Sequence, residues 1–178
     1  MTETLFRLFP TDKIEHGYLP AYIRLADMIG PHGNVCEIGV HTGGSLELWR
    51  VLFPHGITVG VDNNPACTWP PYTEQVISSQ DDPKLPNRLA SICADYDLIV
   101  DDASHIGALT AETHRLLWPL VKPGGFYVIE DWMISLWGWD DGSMLRTVQS
   151  LLLGLTSPTA EIASITYQYG MAIVRKRP

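Results

Sequence analysis

The 178-residue sequence has little cysteine, little positive charge and no long apolar run. Each shortage excludes something. Cysteine occurs only at positions 36, 67 and 93. An odd number with no CxxC spacing excludes a disulfide framework and a zinc ribbon, and points to a reducing, cytoplasmic compartment. Lys and Arg total 12 against 20 Asp and Glu, a net charge of −8. Such a chain repels a phosphate backbone, so nucleic acid is not an expected partner, and the basic "RKRP" at the end reads as a solvated tail. No apolar stretch is long enough to span a bilayer, and "MTETLFRLFP" lacks the basic start and apolar stretch of a signal peptide. No repeat or low-complexity segment is visible. What remains is 46% apolar and 18% charged, the balance of one globular domain covering 1–178.

Short β-branched runs alternate with longer amphipathic ones. Strands are expected at "NVCEIGV" (34–40), "ITVGVD" (57–62), within "TEQVISSQ" (73–80), at "YDLIVDD" (96–102) and at "FYVIED" (126–131). Helices are expected at "GSLELWRVLF" (44–53), after Pro86 in "PKLPNRLASICADY" (83–96), at "ALTAETHRLLWPLV" (108–121) and at "SMLRTVQSLLLGL" (143–155). "KPGG" reads as a turn before the fifth strand. "EIASITYQY" and "MAIVRKR" read as two last strands around Gly170, one of them antiparallel. The alternation predicts an α/β fold with helices on both faces of a doubly wound, mostly parallel sheet. Ligands of such sheets bind beyond the carboxyl ends of the strands. Glu37, Asp62, Asp81, Asp101, Asp102, Glu130 and Asp131 all fall at or just past a predicted strand end. So many acids on one rim suit a cation, or the reading of hydroxyls and amines.

"CEIGVHTGGS" (36–45) follows the first strand and opens a helix, whose N-terminus supplies N–H donors. The dinucleotide pattern GxGxxG does not fit, because His41 holds the second glycine position. The spacing that fits runs from Glu37 through Gly39 to Gly43, with Ser45 beyond; it suits a ligand without pyrophosphate, or merely a tight turn. Asp62 ends the second strand and can accept both hydroxyls of a ribose. Gln80 and Asp81 either reach an adenine amino group or lie in a solvated loop.

These features resemble the class I S-adenosylmethionine-dependent methyltransferases, which implies a Rossmann-like fold and an S-adenosylmethionine site at Glu37, Gly39, Gly43, Ser45, Asp62, Gln80 and Asp81. His41 replaces the usual glycine of the loop. The short, Pro-rich "NNPACTWPPY" (63–72) leaves little room for the helix expected there.

At the other end of the site, Asp102 follows the fourth strand, and Glu130 and Asp131 follow the fifth. Neighbouring strands lie ~5 Å apart, so these carboxylates can converge. Unpaired, they would repel; a hard divalent cation such as Mg²⁺ removes that cost and lowers the pKa of a bound hydroxyl. His105, three residues past Asp102, is placed to accept a proton from a hydroxyl that attacks a sulfonium methyl, a task imidazole suits. The bland reading has Ser104 and His105 capping the next helix. Asp101 is set aside as a metal ligand and is assigned to the cofactor side or to capping backbone groups.

"DLIVDDASH…LLWPLVKPGGFYVIEDW" is similar to the macrocin and mycinamicin type of sugar O-methyltransferases, with their D-D-G-S-H and P-G-G-x-Y-V-I-E-D stretches. Ala103 replaces the glycine. The N-terminal "TDKIEHGYLPAY" (11–22) also resembles that group. The resemblance implies Mg²⁺ on Asp102, Glu130 and Asp131, His105 as general base, and a deoxysugar hydroxyl of a natural product as acceptor. It also implies that the additional N-terminal domain of some members is missing here. Residues 1–30 are then a lid, in which Lys13, His16, Tyr18 and Tyr22 close over the cofactor or contact its carboxylate; alternatively they cap an amphipathic helix. The tryptophans of "WMISLWGWDDG" (132–142) suit an aromatic wall for the acceptor, or a patch covered in a homo-oligomer. The rival readings are a catechol-type phenol methyltransferase, an NAD-dependent oxidoreductase and a non-catalytic nucleotide-binding module.

Overall fold

The computed structural model describes residues 9–156 and 161–178. The start of the expected lid, residues 1–8, lies outside that range. The chain order is α1 (Leu19–Ile29), β1 (Val35–Ile38), α2 (Gly44–Leu52), β2 (Thr58–Asp62), β3 (Glu74–Ile77), α3 (Leu85–Ile92), β4 (Tyr96–Asp101), α4 (Gly107–Leu117), β5 (Val121–Ile129), α5 (Ser143–Thr156), β6 (Ile162–Gln168) and β7 (Met171–Lys176). Seven strands form one sheet in the order β3-β2-β1-β4-β5-β7-β6. β1 to β5 pair in parallel, and β7 runs antiparallel to both β5 and β6. This is the doubly wound, mostly parallel sheet expected, with β7 as its reversed strand. No described helix is long and apolar enough to cross a membrane.

Side chains alternate across a strand, and the central strands are buried on both faces. Val35, Leu98, Val100, Phe126 and Val128 pack with Tyr22, Leu46 and Trp49 of α1 and α2. Cys36, Ile38, Ile99, Tyr127 and Ile129 pack on the other face with Leu85, Leu89, Leu117 and Met144. The same alternation sends Glu37 to the α1–α2 face and Asp101 to the opposite one.

Two details depart from the expected elements. "KPGG" lies within β5 rather than before it: Val121 pairs with Tyr96, a bulge follows, and pairing resumes at Phe126 opposite Leu98. Val121 is an apolar residue that the sheet can bury, so the strand begins before the glycines and accommodates them as a kink. Residues 63–73 form turns without a helix, as the Pro-rich composition suggested.

Register sets the rim. Ile38 of β1 lies level with Val61 of β2 and Asp101 of β4, and Asp101 lies level with Ile129 of β5. The Asp102 N–H then donates to the Ile38 carbonyl at 2.9 Å, and that of Glu130 to the Asp101 carbonyl at 3.0 Å. Residues that follow four different strands therefore start from one level.

Candidate active site

A cavity of about 700 Å³ opens beyond the carboxyl ends of β1 to β4. Its volume is that of a site for a nucleotide-sized ligand. Gly39, Ser45, Asp62 and Gln80 line it, as do His41, Asp102 and His105. Glu37, Gly43, Asp81, Asp101 and Tyr18, also expected at the cofactor, are not among its lining residues.

Asp62 is held by its surroundings. Its carboxylate accepts the N–H groups of Val40 at 2.8 Å, His41 at 3.3 Å and Asn64 at 2.8 Å. Burial alone would raise its pKa, but the donors from Asn64, Val40, Cys67 and His41 hold it below the ordinary aspartate value. The carboxylate therefore stays ionised at the cavity wall. Gln80 is fixed as well, donating to Thr113 at 2.9 Å and accepting the Ser104 N–H at 3.2 Å. Asp81 takes the Ser79 hydroxyl outside the cavity.

The glycines of the first loop make room for protein backbone. A Cβ on Gly39 would lie 2.0 Å from the Asp102 carbonyl oxygen, one on Gly43 2.3 Å from that of Thr68, and one on Gly44 2.0 Å from that of Pro10. Three segments thus close on the β1–α2 loop, and Gly39 and Gly43 also adopt positive φ. His41 itself is left-handed, with φ 48°. His105 (φ 53°) and Asp131 (φ 54°) share that conformation, which is costly for residues with a Cβ and is concentrated at functional sites.

At the β4–β5 end the acids meet residues from the N-terminal segment. Lys13 Nζ lies 2.6 Å from Asp102 Oδ2, 2.9 Å from Glu130 Oε2 and 3.2 Å from Glu37 Oε1. The Tyr22 hydroxyl donates to Glu130 Oε1 and the Tyr18 hydroxyl to Asp131 Oδ1. His16 Nδ1 is 3.8 Å from Asp131 Oδ1. Glu37 also accepts from Ser45 Oγ at 2.6 Å and Trp49 Nε1 at 2.9 Å. The N-terminal quartet of Lys13, His16, Tyr18 and Tyr22 therefore turns onto the acids of the rim, and none of the four lines the cavity.

Burial would drive the Lys13 ammonium toward neutrality, but Glu130, Asp102 and Glu37 together hold it charged, well above the ordinary lysine value. The Glu130 carboxyl is itself raised, by burial first and then by the Asp102 charge, against the opposing pull of Lys13. The Glu37 carboxyl is raised by burial, with Lys13 opposing. Three carboxylates face one ammonium, and Asp131, held by Tyr18, lies on the outer side of the nest. There Asp102, His105 and Asp131 each offer a ligand atom, all within 4.8 Å of one another. His105 Nε2 is 3.8 Å from Asp102 Oδ1 and 3.8 Å from Asp131 Oδ2. The carboxylate oxygens of Asp102 and Asp131, with Glu130 beside them, fit a hard divalent cation, and the imidazole of His105 stands next to that site.

Asp101 is placed differently from Asp102. It accepts the Tyr127 hydroxyl at 3.3 Å on the far face of the sheet. Burial, then the Asp102 charge, pushes its carboxyl up to about 7, opposed by the hydrogen bonds of Tyr127 and Ala103. Sequence reasoning singled out Lys13 but not its place among the acids: its partners lie 24 to 117 positions away. It also missed Cys67 and Leu109 of the cavity wall, which carry no motif, whereas Pro10 and Thr11 belong to the segment expected to close over the site.

No family model matches the chain. It is 37% identical over 113 residues to L-olivosyl-oleandolide 3-O-methyltransferase of Streptomyces antibioticus, covering 58% of this chain and 29% of that protein. It is 34% identical over 131 residues to mycinamicin VI 2''-O-methyltransferase of Micromonospora griseorubida, covering 68% of this chain and 33% of that protein. The solved structure of the MycE methyltransferase of the mycinamycin pathway, in complex with Mg, S-adenosylhomocysteine (SAH) and mycinamycin VI, superposes with TM-score 0.78 at 29% identity, over 89% of this chain and 49% of that one. The chain spans about a third of the length of the curated relatives it matches.

Proposed function

By fold and shared sequence the chain belongs to the class I S-adenosylmethionine-dependent methyltransferases, and we propose that it transfers a methyl group to a sugar hydroxyl of a glycosylated natural product, with Mg²⁺ bound. The observation that carries this reading is the adjacency of the ~700 Å³ cavity to the cluster of Asp102, His105 and Asp131 at one end of it. The relatives' activities on glycosylated macrolides point to the same acceptor class.

In this reading Asp62 takes a ribose hydroxyl, which displaces the weak S–H donor of Cys67 from the carboxylate. Gly39, Ser45 and Gln80 belong to the same wall. S-Adenosylmethionine, when bound, would supply the electrophilic methyl, and Asp102, Glu130 and Asp131 would hold the divalent cation, whose charge would lower the pKa of the acceptor hydroxyl. A hard cation takes oxygen ligands, so the imidazole of His105 stays free. Its Nε2 accepts the hydroxyl proton as the oxygen attacks, and Asp102 and Asp131 stabilise the imidazolium that forms. Exposed Leu136, Trp137 and Trp139, just past Asp131, support an apolar wall for the acceptor or self-association. The free thiols of Cys36, Cys67 and Cys93 support a cytoplasmic location.

The test is turnover of a vicinal sugar diol against a catechol, with and without chelator. Chelation should abolish turnover, the sugar should be preferred, and His105→Ala should lower kcat by roughly 10²–10⁴-fold. Full activity in chelator overturns the metal, preference for the catechol overturns the acceptor class, and an unchanged kcat overturns the base.

A further inference from the structure

We propose that Gln80 is a positioning residue for His105: its side-chain amide ties the backbone of the loop that carries the base to the wall of the cavity. This deepens the proposed function and rests on His105 being the base in it.

The ring itself has no tight clamp. His105 Nε2 stands 3.8 Å from Asp102 Oδ1 and 3.8 Å from Asp131 Oδ2, beyond hydrogen-bond length, and the side chain is partly exposed. Its direction is therefore set by the backbone. That backbone is left-handed at His105, with φ 53°, a conformation that persists only where the surroundings impose it.

The loop is held on both sides of His105. Before it, the Asp102 N–H donates to the Ile38 carbonyl at 2.9 Å, and the Ser104 N–H to Gln80 Oε1 at 3.2 Å. After it, the Ile106 N–H donates to Ser104 Oγ at 3.2 Å and the Gly107 N–H to Ser143 Oγ at 3.0 Å. Thr147 Oγ1 donates to the Gly107 carbonyl at 2.8 Å. Gly107 is seated without slack, since a Cβ there would lie 2.1 Å from the Ser143 carbonyl carbon. The start of α4 is thus pinned to α5, and the Ser104 amide, next to His105 in the chain, takes its hold from Gln80.

A hydroxyl decides which way the Gln80 amide points. Thr113 Oγ1 donates to the Leu109 carbonyl at 2.8 Å within α4, so its one proton is committed and it accepts from Gln80. Gln80 Nε2 donates to it at 2.9 Å, which leaves Oε1 for the Ser104 N–H. Thr113 and Gln80 are both buried, so the tie is largely shielded from water. Gln80 also lines the cavity. One hydrogen on its Nε2 and one lone pair on its Oε1 remain for an adenine edge. A single amide then serves the cofactor and holds the base loop.

The test has two arms on the full chain. Amide hydrogen exchange, read by NMR, reports the tie and needs no turnover. Gln80→Leu should speed exchange of the Ser104 N–H by about 10-fold, the equivalent of one net hydrogen bond. Unchanged exchange overturns the tie. Kinetics on the vicinal sugar diol report its consequence. Thr113 is not a lining residue, so Thr113→Val leaves the cavity wall in place. It should lower kcat by about 10-fold with KM for S-adenosylmethionine within about 3-fold, and Thr113→Ser should restore kcat. An unchanged kcat in Thr113→Val, or a rise in KM alone, overturns the positioning role. His105→Ala separates this from failure of the base itself. Full activity in that variant overturns the base and its positioning together, whereas a loss there with none in Thr113→Val overturns the positioning alone. If Gln80→Leu does not fold, the Thr113 pair still decides.

Discussion

The two ends of the rim satisfy their acids in opposite ways. At the β2 end, Asp62 is held by N–H groups of Val40, His41 and Asn64, which lie within 22 positions of it. At the β4–β5 end, Asp102, Glu130 and Asp131 are held by side chains of Lys13, Tyr18 and Tyr22, from 89 to 117 positions away. Backbone donors are fixed once the strand and turn form, and they favour the ionised carboxylate without adding a charge. Side-chain donors must be brought in by the tertiary fold, and a buried lysine among buried acids shares its charge unequally. One end is therefore a simple local anchor. The other is a balance of charges that a mutation or an added ion can tip.

The largest expected effect lies at Asp101, which adjoins that end from the opposite face of the sheet. Its carboxyl titrates near 7 in the folded protein, against an ordinary value of about 3.9 when unfolded. Between these values the folded state holds the proton and the unfolded state does not, so stability falls as pH rises. The full loss, roughly 4 kcal/mol, is present above pH 7 and absent below about pH 4. Asp101→Asn should remove this part of the slope in chelator, measured by denaturant unfolding from pH 4 to 8. Glu37 and Glu130, also raised, contribute slope of the same sign and remain. An unchanged slope would mean that Asp101 is not neutralised by burial.

A second change strikes where the two ends touch. Gly39→Ala puts a Cβ 2.0 Å from the Asp102 carbonyl oxygen in a backbone with φ 97°. It should destabilise the protein by about 3 kcal/mol and weaken Mn²⁺ and SAH binding together. Loss of only one of the two would show that the ends are not mechanically joined there.

The smallest effect should stay at one end. Asp62→Asn keeps the shape but removes the charge that accepts three N–H groups. SAH affinity should fall by roughly 10-fold, about 1.5 kcal/mol, with Mn²⁺ binding unchanged in calorimetry. Any matching drop in Mn²⁺ affinity would break the division drawn between the two ends.

How much of this was legible in the sequence follows the same division. The alternation of strands and helices, the reversed strand near Gly170 and the missing helix at 63–72 could all be read, because each is set by residues adjacent in the chain. So could the collection of acids at strand ends. Whether Gly39 and Gly43 served a ligand or a turn could not be read, because the backbones that approach them belong to other segments.

By itself the sequence determined the doubly wound sheet and the presence of Asp62, Asp102, Glu130, Asp131 and His105 on its carboxyl rim. Strand periodicity and strand ends are local properties, repeated every two residues and punctuated by Gly and Pro. It also determined that Asp101 and Asp102 face opposite ways, since consecutive residues at a strand end must. Only the tertiary structure decided that Lys13 sits between Glu37, Asp102 and Glu130, and that Asp102 and Asp131 keep an oxygen facing outward. A flexible four-carbon side chain carries no record of its partner in the sequence around it. The position of the charge was fixed only when α1 packed across the sheet and closed the low-dielectric space in which that charge had to be paired.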